Sequence, residues 1–461
     1  MTFRPTTRRA LHAVTVPLLA LATILPAGAR AQDLLFAPGE DDRFDWQSYD
    51  DFAAAHDFSG QTLKIFGTWT AEDEATFRNA FRYFEAATGA KVDYAGSDSF
   101  EQQIIIDTEA GSPPDIAIFP QPGLAADLAG RGFLTPLADG TDAWLAENYA
   151  AGDSWVQLGT YAGPDGAEHL YGFPYKSDVK SLVFYVPENF EDMGYEVPET
   201  MEDLKALTEQ IVADGGTPWC IGLGSGGATG WPATDWVEDL LLRLQPPEVY
   251  DQWTSNEIPF DDPRVVEAID EFGWFAKTPD FVAGGVEAVA STDHRDSPAG
   301  LFDFPPQCYM HHQASFIPSF FPEDVEMGVD ADFFYMPPYA SKDLGNPVLG
   351  AGTTFTITRD TELAQAFIDW LKTPIAHEVW MAQDGFLTPF KDANPDTYGD
   401  PTLKKMGEIL TSADTFRFDG SDLMPGAIGA GAFWTGMVDF VGGLSAEDAA
   451  AQIQSTWDGL K

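Results

Sequence analysis

Apolar positions change period in a regular way along the first third of the chain. Thr62 to Phe66 alternates apolar and polar side chains, the period of a half-buried strand. Glu72 to Ala87 follows, with Phe77, Phe81 and Phe84 on one helical face and Thr88-Gly89 as the stop. Lys91 to Tyr94 predicts a second strand and Phe100 to Ala110 a second helix. Pro113-Pro114 then breaks the chain before a buried strand, Asp115 to Phe119. Pro120-Gln121-Pro122-Gly123 turns into a helix from Leu124 to Ala129, ended by Gly130 and Gly132. Strand and helix in strict alternation predict a parallel α/β sheet. Ligands on such sheets sit in the loops that leave the carboxyl ends of strands. Here those loops are Gly67-Thr68-Trp69-Thr70, Gly96-Ser97-Asp98 and Pro120-Gln121-Pro122.

His169 to Phe190 interrupts this rhythm. Tyr171-Gly172-Phe173-Pro174 is extended, Tyr175 to Asp178 is polar, and Ser181 to Val186 reads as a buried strand. Beyond it the alternation restarts: a helix from Met201 to Val212 with Thr200 as N-cap, a short strand at Trp219 to Leu223, and a helix from Asp235 to Leu244. Further helices are predicted at Asp262 to Phe275, Thr361 to Trp380 and Ala432 to Val441, and strand-like segments at Gln307 to His312 and Leu349 to Ile357. Two α/β lobes joined by an extended hinge fit this order. So does the length: 461 residues exceed one comfortable core.

Charge narrows the function. With 25 basic and 73 acidic residues the net charge is −48, which repels nucleic acid and anionic membranes. Residues 1–31 read as a signal peptide: Arg4, Arg8 and Arg9, an apolar stretch from Ala10 to Leu25, then Ala29-Arg30-Ala31 as the cleavage site. Thr7-Arg8-Arg9-Ala10-Leu11 faintly resembles a twin-arginine signal, but ordinary Sec export fits better. No cysteine lies near the cleavage site, so the expected product is periplasmic, cleaved and not lipid-anchored. Two cysteines, Cys220 and Cys308, remain. An oxidising compartment favours a disulfide between them, with two buried free thiols as the alternative.

Gly224 to Gly230 is glycine-rich, yet no Lys-Ser/Thr follows, and Asp235, Glu238 and Asp239 open the next helix, so phosphate is excluded. His311 and His312 are neighbours on a predicted strand and point to opposite faces, so they cannot share a metal ion. No cofactor and no metal are expected.

Several stretches, in order, resemble the extracellular solute-binding proteins of bacterial ABC sugar importers, the maltose-binding-protein-like family. They are Pro113-Pro114-Asp115-Ile116, Gly132 to Leu137, Tyr171-Gly172-Phe173-Pro174, Val197-Pro198-Glu199-Thr200, Ala364 to Leu371, and Leu423-Met424-Pro425 followed by Ala432-Phe433-Trp434. The wording of Lys176 to Phe190, Gly230-Trp231-Pro232 and the two cysteines is most similar to its α-glucoside-binding branch. The resemblance implies an α/β, two-lobed periplasmic binding protein fold with the ligand cleft at the hinge. Lobe 1 is expected at 32–171 and 313–356, lobe 2 at 172–312 and 357–461, with crossings near Gly172, between Tyr309 and Phe316, and near Thr356. It further implies a monomer that binds a neutral α-glucoside and presents it to the permease subunits in the inner membrane. Trp434 would stack on a glucose ring.

A neutral sugar needs carboxylates and amides for its hydroxyls and flat rings for its C–H faces. Asp98, Gln121, Lys176, Asp178, Gln313, Arg417 and Asp422 are the polar candidates, with Gly352 on the second crossing segment. Trp69, Trp231 and Trp434 are the candidate platforms, although in a chain of 13 tryptophans each also has a packing reading. A secreted glycosidase or lyase is the alternative function, needing two carboxylates across the scissile bond, for which Asp98 and Asp178 are the available pair.

Overall fold

The computed structural model describes residues 34–150, 152–383, 385–412 and 415–460. The expected signal peptide and its cleavage site lie outside the described residues. The first sheet grows from β1 (Thr62–Gly67), β2 (Lys91–Gly96) and β3 (Ile116–Phe119), with β1 parallel to both others. A hairpin of β4 (Thr160–Ala162) and β5 (Glu168–Leu170) leads into β6 (Gly172–Val179), a strand buried along its whole length. β7 (Leu182–Tyr185) then lies between β8 (Met310–Gln313) and β9 (Asp332–Tyr335) in a second, antiparallel sheet. β10 (Pro347–Ile357) returns to the first sheet, antiparallel to both β3 and β6, and β11 (Thr415–Phe418) pairs its far end.

The crossings therefore differ from those expected. β6 keeps its ladder to β10 as far as Val179, so the chain changes sheets at Lys180-Ser181 rather than at Gly172. The return runs between β9 and β10, and a further passage follows β11. The expected assignment of 357–461 to one lobe also differs from the packing. The phenylalanine stripe Phe77, Phe81 and Phe84 shares one core with Phe367, Trp370 and Trp380. Phe433, Met437, Ile453 and Trp457 instead join Trp219, Trp236 and Phe275 in another. A helical apolar face declares that it is buried; which core receives it is decided by chain path.

Local expectations differ in informative places. The stretch before β1, for which no element is predicted above, contains a helix, Trp46–Ala55, capped by the Asp45 carboxylate and anchored by buried Phe52. Thr361 to Trp380 is two helices, Glu362–Trp370 and Pro374–Met381, because Pro374 removes a backbone donor and starts the second. Trp219 to Leu223 is held by isolated bridges, Trp219 to Val282 and to Met310, rather than forming a strand. Ala432 to Val441 splits into a π-helical turn over Ile428–Phe433 and an α-helix from Trp434 to Val441. Cys220 and Cys308 form a disulfide with Cα atoms 5.5 Å apart, in an apolar cluster with Val179, Leu182 and Leu301.

Candidate functional site

Between the two cores lies a cavity of about 170 Å³. The first lobe lines it with the loops predicted from the sheet topology: Thr68 and Trp69 after β1, Asp98 and Glu101 after β2, Pro120 and Gln121 after β3. The hinge strands add Lys176, Asp178 and Lys180 from one side and Ala351, Gly352 and Thr353 from the other. The second lobe contributes Ser225, Trp231, Asp235, Arg295 and Phe316, and the chain after β11 contributes Asp419, Ser421, Asp422 and Trp434.

Nine of the eleven residues expected at the site thus reach this cavity: Trp69, Asp98, Gln121, Lys176, Asp178, Trp231, Gly352, Asp422 and Trp434. Trp69 does so with part of its ring only, since it packs on Phe77, Phe355 and Trp380 at centroid distances of 5.3, 6.1 and 5.1 Å. Gln121 caps the following helix, its Oε1 accepting from the Leu124 amide at 3.0 Å, which leaves Nε2 free for another partner. Lys176 and Asp178 form a buried ion pair at 2.8 Å. Gly352 is required by close approach: a Cβ there would stand 2.9 Å from the Lys176 carbonyl oxygen. Trp231 meets His294 edge-on at 5.0 Å and has the Lys180 ammonium 5.5 Å above its ring. Trp434 is only 6% exposed, yet it belongs to none of the apolar cores.

Two of the expected residues do not line the cavity. Gln313 is buried at the end of β8, where its Oε1 accepts from the Ala314 amide at 2.9 Å, away from the cavity. Arg417 on β11 turns outward to Asp251, donating to both carboxylate oxygens at 2.6 and 2.9 Å. Both were chosen by residue type in the right neighbourhood; strand facing and a partner far away in sequence decided otherwise. His311 and His312 indeed diverge, His311 Nδ1 meeting the Cys220 carbonyl and His312 Nε2 meeting Asp239.

The residues missed by the sequence reading form the cavity's electrostatic centre. Lys180 Nζ donates to Asp235 at 2.8 Å and to Asp419. Burial alone would lower this ammonium's pKa, but the two carboxylates hold it well above the ordinary lysine value. Burial likewise drives the Asp235 carboxyl well up, against the pull of Lys180. Asp419 is opposed by burial yet stays below the ordinary value, held by Lys180, the Ser421 hydroxyl and the Asp422 amide. Asp422, buried and beside Asp419, is driven well up, and burial lifts Glu101 to about 7. Carboxyl groups shifted in opposite directions give the cavity both donors and acceptors. The available signal was a second lysine, Lys180, in the short link between β6 and the apolar β7; the acids themselves were hidden among 73.

Not all of these groups are paired within the protein. Glu101 Oε2, Gln121 Nε2, Asp235 Oδ2, Arg295 Nε, Thr353 Oγ1 and Trp434 Nε1 are buried without a hydrogen-bond partner among the described residues, and all belong to residues lining the cavity. Buried polar groups are ordinarily satisfied. Their concentration here marks the place where a polar solute completes the structure.

Comparison with known proteins agrees with this geometry. Residues 67–378 match the family of bacterial extracellular solute-binding proteins. The chain belongs to that family. Its relatives include the α-glucosides-binding periplasmic protein AglE of Rhizobium meliloti, 68% identical over 94% of both chains. The osmoprotective compounds-binding protein GgtB of Synechocystis is 41% identical over 86% of this chain and 92% of its own. Among solved structures, the bacterial solute receptor AcbH superposes with a TM-score of 0.74 at 18% identity, covering 87% of this chain and all of its own. This extracellular solute-binding protein is accordingly exported to the periplasm and binds its solute without converting it, which sets the glycosidase alternative aside.

Proposed function

We propose that this solute-binding protein captures neutral α-glucosides of disaccharide type in the cleft and delivers them to the inner-membrane permease of an ABC importer. The single observation that carries the reading is the set of unpaired donors and acceptors facing a cavity walled by Trp231 and Trp434. Hydroxyls satisfy the polar edges, and the flat C–H faces of a glucose ring cover tryptophan at small entropic cost. Seven carboxyl groups line the cavity beside Lys176, Lys180 and Arg295, and those held ionised, together with the net charge of −48, disfavour anionic sugars. The 68% identity to the α-glucoside-binding relative supports the same class of solute.

The test is a thermal-shift panel of neutral mono- and disaccharides beside sugar phosphates. A cognate sugar at a hundredfold excess over its Kd adds about 2.7 kcal/mol of stability. The same titration with Trp434→Ala is expected to lose about 2 kcal/mol or more of binding, as buried aromatic anchors do. Its ligand-free stability should change far less, because Trp434 stands outside the apolar cores. A panel that responds only to sugar phosphates would refute the reading. The same proposal includes maturation before Gln32 without a lipid, which intact-mass measurement on periplasmic protein checks; a retained Met1 or an acyl mass would contradict it.

A further inference from the structure

We propose that Arg295 is a latch that couples solute binding to closure of the cleft, with its Nη2 tied across the lobes and the neighbouring Nε reserved for solute. The proposal rests on the reading of this chain as a closing sugar-binding protein. Arg295 stands in a loop of the second lobe, fixed by its own amide donating to Asp293 at 2.9 Å and by the His294 amide donating to the Gly224 carbonyl at 2.9 Å. Its Nη2 crosses to the first lobe, donating to Asp98 Oδ1 at 2.7 Å and to Thr70 Oγ1 at 3.4 Å. These acceptors come from the loops after β2 and β1, the same loops that line the cavity.

The backbone around this bridge is built for close approach. A Cβ on Gly226 would stand 3.2 Å from the Asp98 Cβ, and one on Gly227 would stand 3.0 Å from Gln102 Oε1. The glycine-rich loop that binds no phosphate therefore seats the second lobe against the first. Phe320 lies 5.7 Å from the guanidinium carbon and supports its face.

The donor beside Nη2 on the guanidinium is unfinished. Arg295 Nη1 lies 3.6 Å from Asp293 Oδ1, but Nε is buried with no partner among the described residues, and the residue lines the cavity. The donors of a guanidinium lie in one rigid plane, so the engagement of Nη2 with Asp98 fixes where Nε points. In open lobes water serves every donor. Closure without solute strands this N–H; closure on a solute oxygen satisfies it. A solute moves the equilibrium only by its preference for the closed form, and this unpaired donor supplies such a preference. A neutral hydroxyl or ring oxygen suits it, because an anion would compete with Asp98 for the same charge.

The test uses the full exported chain with maltose and trehalose as probes and reads dissociation rates by stopped flow. Asp98→Asn and Arg295→Gln should each speed dissociation, by roughly tenfold if they couple as contacting residues do. The double variant should be no faster than Arg295→Gln alone. Unchanged rates, or effects that multiply, would overturn the latch. A second arm reads the juxtaposition directly, with saturating maltose or trehalose present so that the cleft is closed. In the Asp98→Cys/Arg295→Cys double variant, a short bifunctional thiol reagent should link the lobes, the native Cys220 and Cys308 being buried and already paired. Failure to link overturns the juxtaposition. A parent chain that binds neither sugar overturns the α-glucoside reading instead, whereas sugar binding with unchanged rates in the variants overturns the latch alone.

Discussion

Lys180→Met is expected to cost the fold about 3–5 kcal/mol at pH 8, the usual penalty for removing one partner of a buried ion pair. Lys180 is 7% exposed and is the cation that faces both Asp235 and Asp419, themselves 2% and 1% exposed. Methionine preserves the length of the stem and removes only the charge. Glu238 stands behind the pair, accepting from the Gly420 and Ser421 amides, so the carboxylates that remain repel one another. The pH dependence identifies the cause. Without Lys180 the carboxyls gain raised folded-state pKa values, so the folded chain binds more protons than the unfolded one. Stability of the variant then falls as pH rises above the unfolded carboxylate range, and the deficit shrinks again towards pH 5. Urea melts of both proteins at pH 5 and pH 8 read this directly. A deficit under about 1 kcal/mol at pH 8, or one independent of pH, would show that the pair contributes packing and no net charge compensation.

The disulfide carries a comparable effect by a different route. Cys220 and Cys308 are separated by 88 residues, and closing so long a loop restricts the unfolded chain by about 4–5 kcal/mol in the entropic account. Both cysteines sit in the apolar cluster that also holds Val179, Leu182 and Leu301, next to the point where the chain changes sheets. The double variant Cys220→Ser/Cys308→Ser should therefore melt earlier and lose most of this stability, with solute affinity little changed, since neither cysteine lines the cavity. Equal stability of the double variant and the parent would contradict the assignment. Loss of affinity at unchanged stability would relocate the disulfide's role to the hinge.

Much of this was readable from residue order because strand-helix alternation depends on local spacing. Phe77, Phe81 and Phe84 announce one buried helix face, and the α/β rule then points at Trp69, Asp98 and Gln121 as loop residues at strand ends. What local spacing does not contain is the partner across the fold. Arg417 was lost to Asp251, 166 positions away. Gln313 was lost to its neighbour's amide. The hinge itself was found, but Lys180 within it passed unnoticed, since its meaning depends on Asp235 and Asp419 arriving from two distant segments. The placement of residues 362–393 in the first core and 420–458 in the second follows from β10 and β11, whose pairing no periodicity predicts.

The central claim is that two lobes close on a neutral sugar held between Trp231, Trp434 and the unpaired polar groups. Small-angle scattering of the purified protein, with and without a saturating α-glucoside, tests it most directly. The bridge from Arg295 to Asp98 and the contact of Gly226 and Gly227 with the first lobe describe a closed cleft. A cognate sugar should therefore reduce the radius of gyration, while a sugar phosphate leaves it unchanged. A radius that stays constant while calorimetry confirms bound sugar would contradict closure on the ligand.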